Sequence, residues 1–364
     1  MLSVDLFSCS SFFINEKDQR LFGFNYDLDF GSGYIIINQP NMSKKAFLMD
    51  TGKVLSWVSK YGSITFSQGG AELPQCGLSQ AGLAISSLNN NSMKYPKRDS
   101  RYALNGFQWI QYLLDNCKTL DEVEETVTTI QIIDLGVPVH YLIADANGDV
   151  AVVEFVDGIL KFFKDEELPL PIIQNSFYTD MLETYYDSMN DETGYQIRFA
   201  EAVNALNDFN SNDSINDYID YSFGILDELQ RPYTKWQIVF DLNNLDVYFN
   251  TCEPTYFKLE NDSIFVPTTD TRNSFVGAPT DTERNKISLD SIDFNCSNDI
   301  LFIDIKDHDR NQIYSDFKPF KDNIDKKRFK KSLLVAKRIW SVREISVRKM
   351  TNKYLNHFQD YTCK

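Results

Sequence analysis

The first 90 residues divide into short apolar or alternating runs, at 9–14, 20–25, 34–38, 46–50, 61–66 and 82–88, each closed by Gly, Asn, Ser or Asp. Runs of that length with that punctuation build strands. A helical period follows, with Leu104, Phe107, Ile110, Leu113 and Leu114 on one face of 102–116. Thr119-Leu-Asp-Glu122 has the form of a capping box and predicts a second helix to about residue 130. Strands return at 139–144 and 150–155, joined by an Asn147-Gly148 turn, and again at 170–174, ending at Asn175. Helices are expected over 196–206 and 215–229, then a hairpin of 235–241 with 246–251 turning at Asn243-Asn244. A polar, turn-rich stretch at 262–297 precedes a last strand at 300–305. Strands, a helix pair, then strands and helices again is an α+β order and lacks regular βαβ alternation. No linker divides residues 9–310, which read as one domain.

Composition narrows the class. With 27 Phe, 19 Tyr and 4 Trp in 364 residues the chain has ample apolar surface to bury, which excludes disorder. No apolar run reaches the length of about 18 residues that a membrane-spanning helix needs. The formal charge is −16, a poor match for nucleic acid or anionic lipid. From Lys318 onward, however, 14 Lys and Arg face 4 Asp and Glu, and 311–364 reads as a basic helical tail. That tail is a solvated helix face or docks on the acidic core of its own or a neighbouring subunit. The six cysteines contain no CxxC pair and the three histidines are isolated, so neither a metal site nor a disulfide framework is expected. Residues 1–8 carry Asp5, lack a basic start and are too short for a signal peptide. As written the chain reads as cytoplasmic, or as periplasmic or secreted if the gene starts further upstream.

Walker and dinucleotide-binding glycine loops, the GxSxG elbow and HExxH are all missing. Asp50-Thr51-Gly52 has no second copy to complete an aspartic-protease pair and reads as a turn. What remains is Cys9 at the head of the first run and Asn25-Tyr26-Asp27 at the end of the second. A hairpin of the two runs would return Asp27 beside Cys9. A cysteine at a chain terminus carries its own base, an α-amine of pKa about 7.7–8.0, which a nearby carboxylate can orient. Taken alone, the two residues read first as a buried cysteine and a turn aspartate.

The strings Cys9-Ser-Ser-Phe12, Phe22-Gly-Phe-Asn-Tyr-Asp27, Lys60-Tyr-Gly-Ser-Ile-Thr-Phe66, Gly77-Leu-Ser-Gln-Ala-Gly-Leu-Ala84, Val139-His-Tyr-Leu-Ile-Ala-Asp-Ala-Asn-Gly148, Ile173-Gln-Asn-Ser176 and Thr234-Lys-Trp-Gln-Ile-Val-Phe-Asp241 are the residues that carry a resemblance. In kind and order, across about 9–310, they are similar to the motifs of the choloylglycine hydrolase family. These are linear amide C–N hydrolases that include bile salt hydrolases and penicillin V acylases. The resemblance implies the N-terminal nucleophile fold, a four-layer αββα sandwich. It also implies roles: Cys9 as nucleophile with its freed α-amine as base, Asp27 holding that amine, and Asn175 in the oxyanion hole. Asn89 matches a position giving further oxyanion contacts, and Arg198 aligns with an arginine near the nucleophile. Read by themselves, Asn89 opens an Asn-Asn-Asn run suited to a turn and Arg198 suits a helix-surface ion pair.

Three departures from the family pattern stand out. Phe24 occupies the place of an arginine, Ser79-Gln-Ala-Gly82 replaces Asn-Glu-Lys-Gly, and eight residues precede Cys9 as a leader or propeptide. Phe24 predicts a slower enzyme with a higher thiol pKa and a preference for uncharged acyl groups. The implied function is hydrolysis of a linear non-peptide amide joining an apolar acyl group to a small polar amine. The alternative is a non-catalytic relative that keeps the pocket and binds amphiphilic ligands. Beyond the small-molecule substrate, the partners expected are at most further copies of the chain, with no nucleic acid, membrane, metal or cofactor.

Overall fold

A computed structural model describes residues 9–27, 34–46, 54–67, 73–133, 137–188, 198–211, 217–231, 234–252, 285–292, 294 and 301–304. The chain begins with strands β1 (Ser10–Glu16), β2 (Gln19–Asp27), β3 (Tyr34–Asn38), β4 (Ser43–Lys45), β5 (Ser56–Val58), β6 (Ser63–Ser67), β7 (Cys76–Ser79), β8 (Ala84–Asn89) and β9 (Tyr102–Asn105). Helices α1 (Gly106–Asn116) and α2 (Leu120–Thr126) lead into β10 (Ile130–Ile133), β11 (Val139–Ala144), β12 (Val150–Val156), β13 (Ile159–Lys164) and β14 (Ile172–Ile173). Helices α3 (Tyr178–Ser188), α4 (Arg198–Ser211) and α5 (Tyr218–Glu228) precede β15 (Thr234–Asp241), β16 (Asp246–Thr251), β17 (Asn285–Ser288) and β18 (Leu301–Asp304).

Two antiparallel sheets carry the fold. One has the order β14-β1-β2-β15-β16-β17 and the other β13-β12-β11-β8-β7-β6-β3-β18. Side-chain alternation along β11 and β12 explains why these strands are apolar at almost every position: both faces are covered. Tyr141, Ile143, Val153 and Phe155 pack with Trp109, Ile110 and Leu113 of α1 and Val123 of α2. Leu142, Ala144 and Val152 instead join the core shared with the six-stranded sheet. Phe66 of β6 is fully buried there, with its ring 6.4 Å from Phe240 and 6.5 Å from Trp236 of β15. Burying such a side chain stabilises by roughly 1.5–3 kcal/mol. A hydrogen bond of 2.9 Å from Ser86 to Ser11 also ties the two sheets together. On the outer face of the six-stranded sheet Asn25 donates to Leu226 O and Gln237 to Asp227, both on α5. Helices, sheet, sheet and helices thus form the αββα sandwich. No helix among the described residues is long and apolar enough to cross a membrane.

Local chemistry explains the departures from the expected elements. The helix expected from residue 102 starts at Gly106, because Asn105 Oδ1 caps it by accepting from the N–H groups of Phe107 and Gln108 at 3.1 and 2.9 Å. Residues 102–105 are β9, paired in parallel with β10. Thr119 Oγ1 accepts from Glu122 N–H as a capping box requires, but Glu122 closes on Lys118 N–H rather than on Thr119. The second helix ends at Thr126, short of residue 130. The strand expected at 170–174 is the two-residue β14. Of the run expected at 46–50, residues 47–50 lie outside the described residues, as do Asp50-Thr51-Gly52, residues 1–8 and the basic tail.

Candidate active site

The β1–β2 hairpin pairs Ser10 with Asn25, so the residue before β1 meets the end of β2. There Asp27 N–H donates to Cys9 Sγ at 3.4 Å, and the thiol donates to Asp27 O at 3.7 Å. Cys9 is only 4% exposed. The Asp27 carboxylate is fully buried and held from two sides. Thr234, which pairs with it across β2 and β15, donates to Oδ1 at 2.5 Å. Arg198, the first residue of α4, donates from Nη2 to Oδ2 at 3.0 Å. The same Nη2 donates to Ser10 Oγ at 3.0 Å, and Nε donates to Leu229 O at 3.1 Å. Arg198 is therefore not a surface ion pair. Its side chain is 11% exposed and points into the sandwich, linking α4, α5, β1 and β2.

Burial dominates the electrostatics. It pushes the Cys9 thiol up to about 12, and the Asp27 charge adds to this, while the Asp27 N–H and the Arg198 charge draw it down. The Asp27 carboxyl is raised, first by burial, against the pull of Arg198 and Thr234. Burial likewise lowers the Arg198 guanidinium, which Asp27 opposes. Phe24 is fully buried, with its ring 6.1 Å from Tyr26, which in turn stacks on Trp236 at 4.4 Å. A charge at residue 24 would have no water to solvate it, so Phe24 is a packing residue here, and Arg198 supplies the cation felt by the thiol. In chains that retain residues 1–8, alkylation of Cys9 by a neutral reagent is expected to accelerate about tenfold per pH unit across pH 7–10. A plateau below pH 9 in the rate-against-pH curve would contradict the raised thiol.

Asn175 and Asn89 meet one another. Asn175 Nδ2 donates to Asn89 O at 2.8 Å, and Asn89 Nδ2 donates to Pro138 O at 3.0 Å. Each amide nitrogen has a second hydrogen to offer. Strand β14 pairs Ile173 with Ser11 and Ile172 with Phe12, so continuing that antiparallel register brings Asn175 level with Cys9. Asn89 ends β8, the strand that the Ser86–Ser11 bond ties to β1. Two participants escaped the sequence reading, Thr234 and Ser10. Thr234 opens one of the resembling motifs, and its place there was the available signal.

The geometry is that of a strand-leading cysteine with a clamped carboxylate beside it, inside an αββα sandwich. The profile of the linear amide C–N hydrolases, choloylglycine hydrolase family, matches residues 9–199, just over half of the chain, and the chain belongs to that family. Penicillin V acylase of Pectobacterium atrosepticum is 31% identical over an alignment of 120 positions that covers 29% of this chain and 32% of that protein. The match thus spans about a third of that relative's length. Among solved structures, penicillin V acylase from Agrobacterium tumefaciens superposes with a TM-score of 0.63 at 20% identity, covering 81% of this chain and 91% of that one. Conjugated bile acid hydrolase from Clostridium perfringens superposes with a TM-score of 0.61 at 17% identity, covering 81% and 96%. These likenesses establish the N-terminal nucleophile hydrolase fold.

Proposed function

We propose that this protein hydrolyses a linear non-peptide amide, with Cys9 as nucleophile once the Ser8–Cys9 bond is cut. The observation that carries this reading is Asp27, whose backbone touches the Cys9 sulfur while its carboxylate is fixed by Thr234 and Arg198. A carboxylate so fixed suits a free α-amine on Cys9, the one group absent from a chain with its leader in place. Residues 1–8 are then a removable leader, 9–310 the hydrolase domain, and 311–364 a basic tail outside the chemistry.

In the uncut chain the thiol is raised too far to ionise at neutral pH. A freed amine changes this, because its pKa of about 7.7–8.0 lets it take the thiol proton and leaves an ammonium charge beside the thiolate. The thiolate attacks the amide carbonyl carbon. The oxyanion accepts the second hydrogen of Asn175 Nδ2, with Asn89 orienting Asn175 and offering its own amide nearby; such a donor is worth roughly 3–4 kcal/mol. As the C–N bond breaks, the ammonium passes its proton to the leaving nitrogen. Water, deprotonated by the amine, then cleaves the thioester and releases the acid. The names of the relatives favour an amide of an apolar acyl group, whereas Phe24, buried against Tyr26, does not bear on that choice. Incubation with penicillin V and, separately, with a conjugated bile acid tests the reading by mass spectrometry of the products. Amide cleavage of at least one is expected. Cleavage of neither by protein beginning at Cys9 would overturn the proposed substrate class.

A further inference from the structure

Two charged-type side chains outside this chemistry are completely buried in the layer between the sheets. His140 of β11 and Glu154 of β12 are each 0% exposed, with Nδ1 and Oε2 3.1 Å apart. Neighbouring positions on the same faces, Leu142 and Val152, are apolar core. Taking such a pair out of water is costly, and apolar residues of similar volume would pack the layer without that cost. Their remaining contacts indicate what the pair does. His140 Nε2 lies 2.5 Å from Gln174 O, and Glu154 Oε1 and Oε2 accept from Tyr178 N–H at 3.1 and 3.3 Å. Gln174 O can only accept, so Nε2 carries a hydrogen, and one further hydrogen lies between Nδ1 and Glu154. The pair therefore grips a five-residue turn at both ends, the carbonyl of its first residue and the amide that starts α3. Asn175 is the second residue of that turn.

The third support of Asn175 comes from the same framework. Asn89, whose carbonyl receives the Asn175 amide, pairs with Val139 next to His140. We propose that His140 and Glu154 are positioning residues that aim Asn175 at the reacting carbonyl by fixing both ends of the 174–178 turn. The inference rests on the hydrolase reading for Asn175 but concerns residues that touch no reacting atom. An oxyanion donor acts through its aim, because a misplacement of about 1 Å can cost about 100-fold in rate while leaving substrate affinity alone.

Glu154→Met and Glu154→Gln separate this role from simple packing. The side-chain amide introduced by Glu154→Gln can donate to His140 Nδ1 and accept from Tyr178 N–H, whereas the thioether of Glu154→Met fills the volume and does neither. With whichever probe wild-type protein cleaves, Glu154→Met is expected to lower kcat about 100-fold with KM changed less than about 3-fold. Glu154→Gln should recover most of that loss. His140→Gln is the second variant if Glu154→Met does not fold, with the same split expected. Amide hydrogen exchange of 174–180 should quicken in Glu154→Met and return to the wild-type rate in Glu154→Gln. Equal kcat in the two variants, or a loss carried by KM, would overturn the proposal. Unchanged exchange in Glu154→Met would overturn it even in protein that cleaves neither probe, an outcome that by itself counts against the hydrolase reading alone.

Discussion

Cys9→Ala is expected to abolish amide hydrolysis, by about 10⁴-fold or more, while the protein stays folded and keeps its leader. The size of the effect follows from the loss of the attacking atom, for which nothing nearby substitutes. Ser10 Oγ is taken by Arg198 and Ser11 Oγ donates to Gly23 O at 2.7 Å. Removal of one buried sulfur atom leaves a small gap at the edge of a core that otherwise keeps Phe13, Phe22 and Phe24 in place, so the fold survives. Retention of the leader follows if Cys9 itself cuts the Ser8–Cys9 bond: Sγ attacks the Ser8 carbonyl, the thiol proton passes to the Cys9 nitrogen as the C–N bond breaks, and water then hydrolyses the thioester to free the leader and the thiol. Turnover, thermal melting and intact mass on one preparation check all three parts. Turnover within tenfold of wild type would remove Cys9 from the mechanism.

Asp27→Asn is expected to lower turnover by about 10²–10⁴-fold, because an amide neither holds a protonated amine nor tunes it. Its effect on stability is more than marginal. Arg198 is almost buried, and Asp27 is the counter-charge that opposes the lowering of its pKa. Asparagine keeps a hydrogen-bond acceptor but strands that charge, so a loss of about 1–3 kcal/mol is expected. Urea unfolding beside turnover separates the two effects. Activity within a few-fold of wild type would show that Asp27 serves the fold alone.

The layered architecture was legible through the ordered motifs and the fold their resemblance implies. The strands alone do not show it, because β11, β12 and β15 are buried yet carry His140, Glu154, Lys235 and Gln237 among their apolar residues. The Cys9–Asp27 meeting was legible because a short hairpin fixes its own register. Less visible were elements with little periodic signal. β7 is four residues long, and α3 buries Tyr178, Met181 and Tyr185 amid polar neighbours. The direction of Arg198 could not be read locally, since its partner lies 171 residues away on another element. His140 and Glu154 look like ordinary strand polar residues until tertiary packing buries them beside the turn that carries Asn175.

A tryptic map of the purified protein tests the central claim most directly. Trypsin cuts after Lys17, the first basic residue of the chain, so the N-terminal peptide reports the Ser8–Cys9 bond. The account predicts a peptide running from Cys9 to Lys17 with a free amine, in protein that hydrolyses an amide. Recovery of the uncut Met1–Lys17 peptide alone, from protein that is nevertheless active, would contradict it.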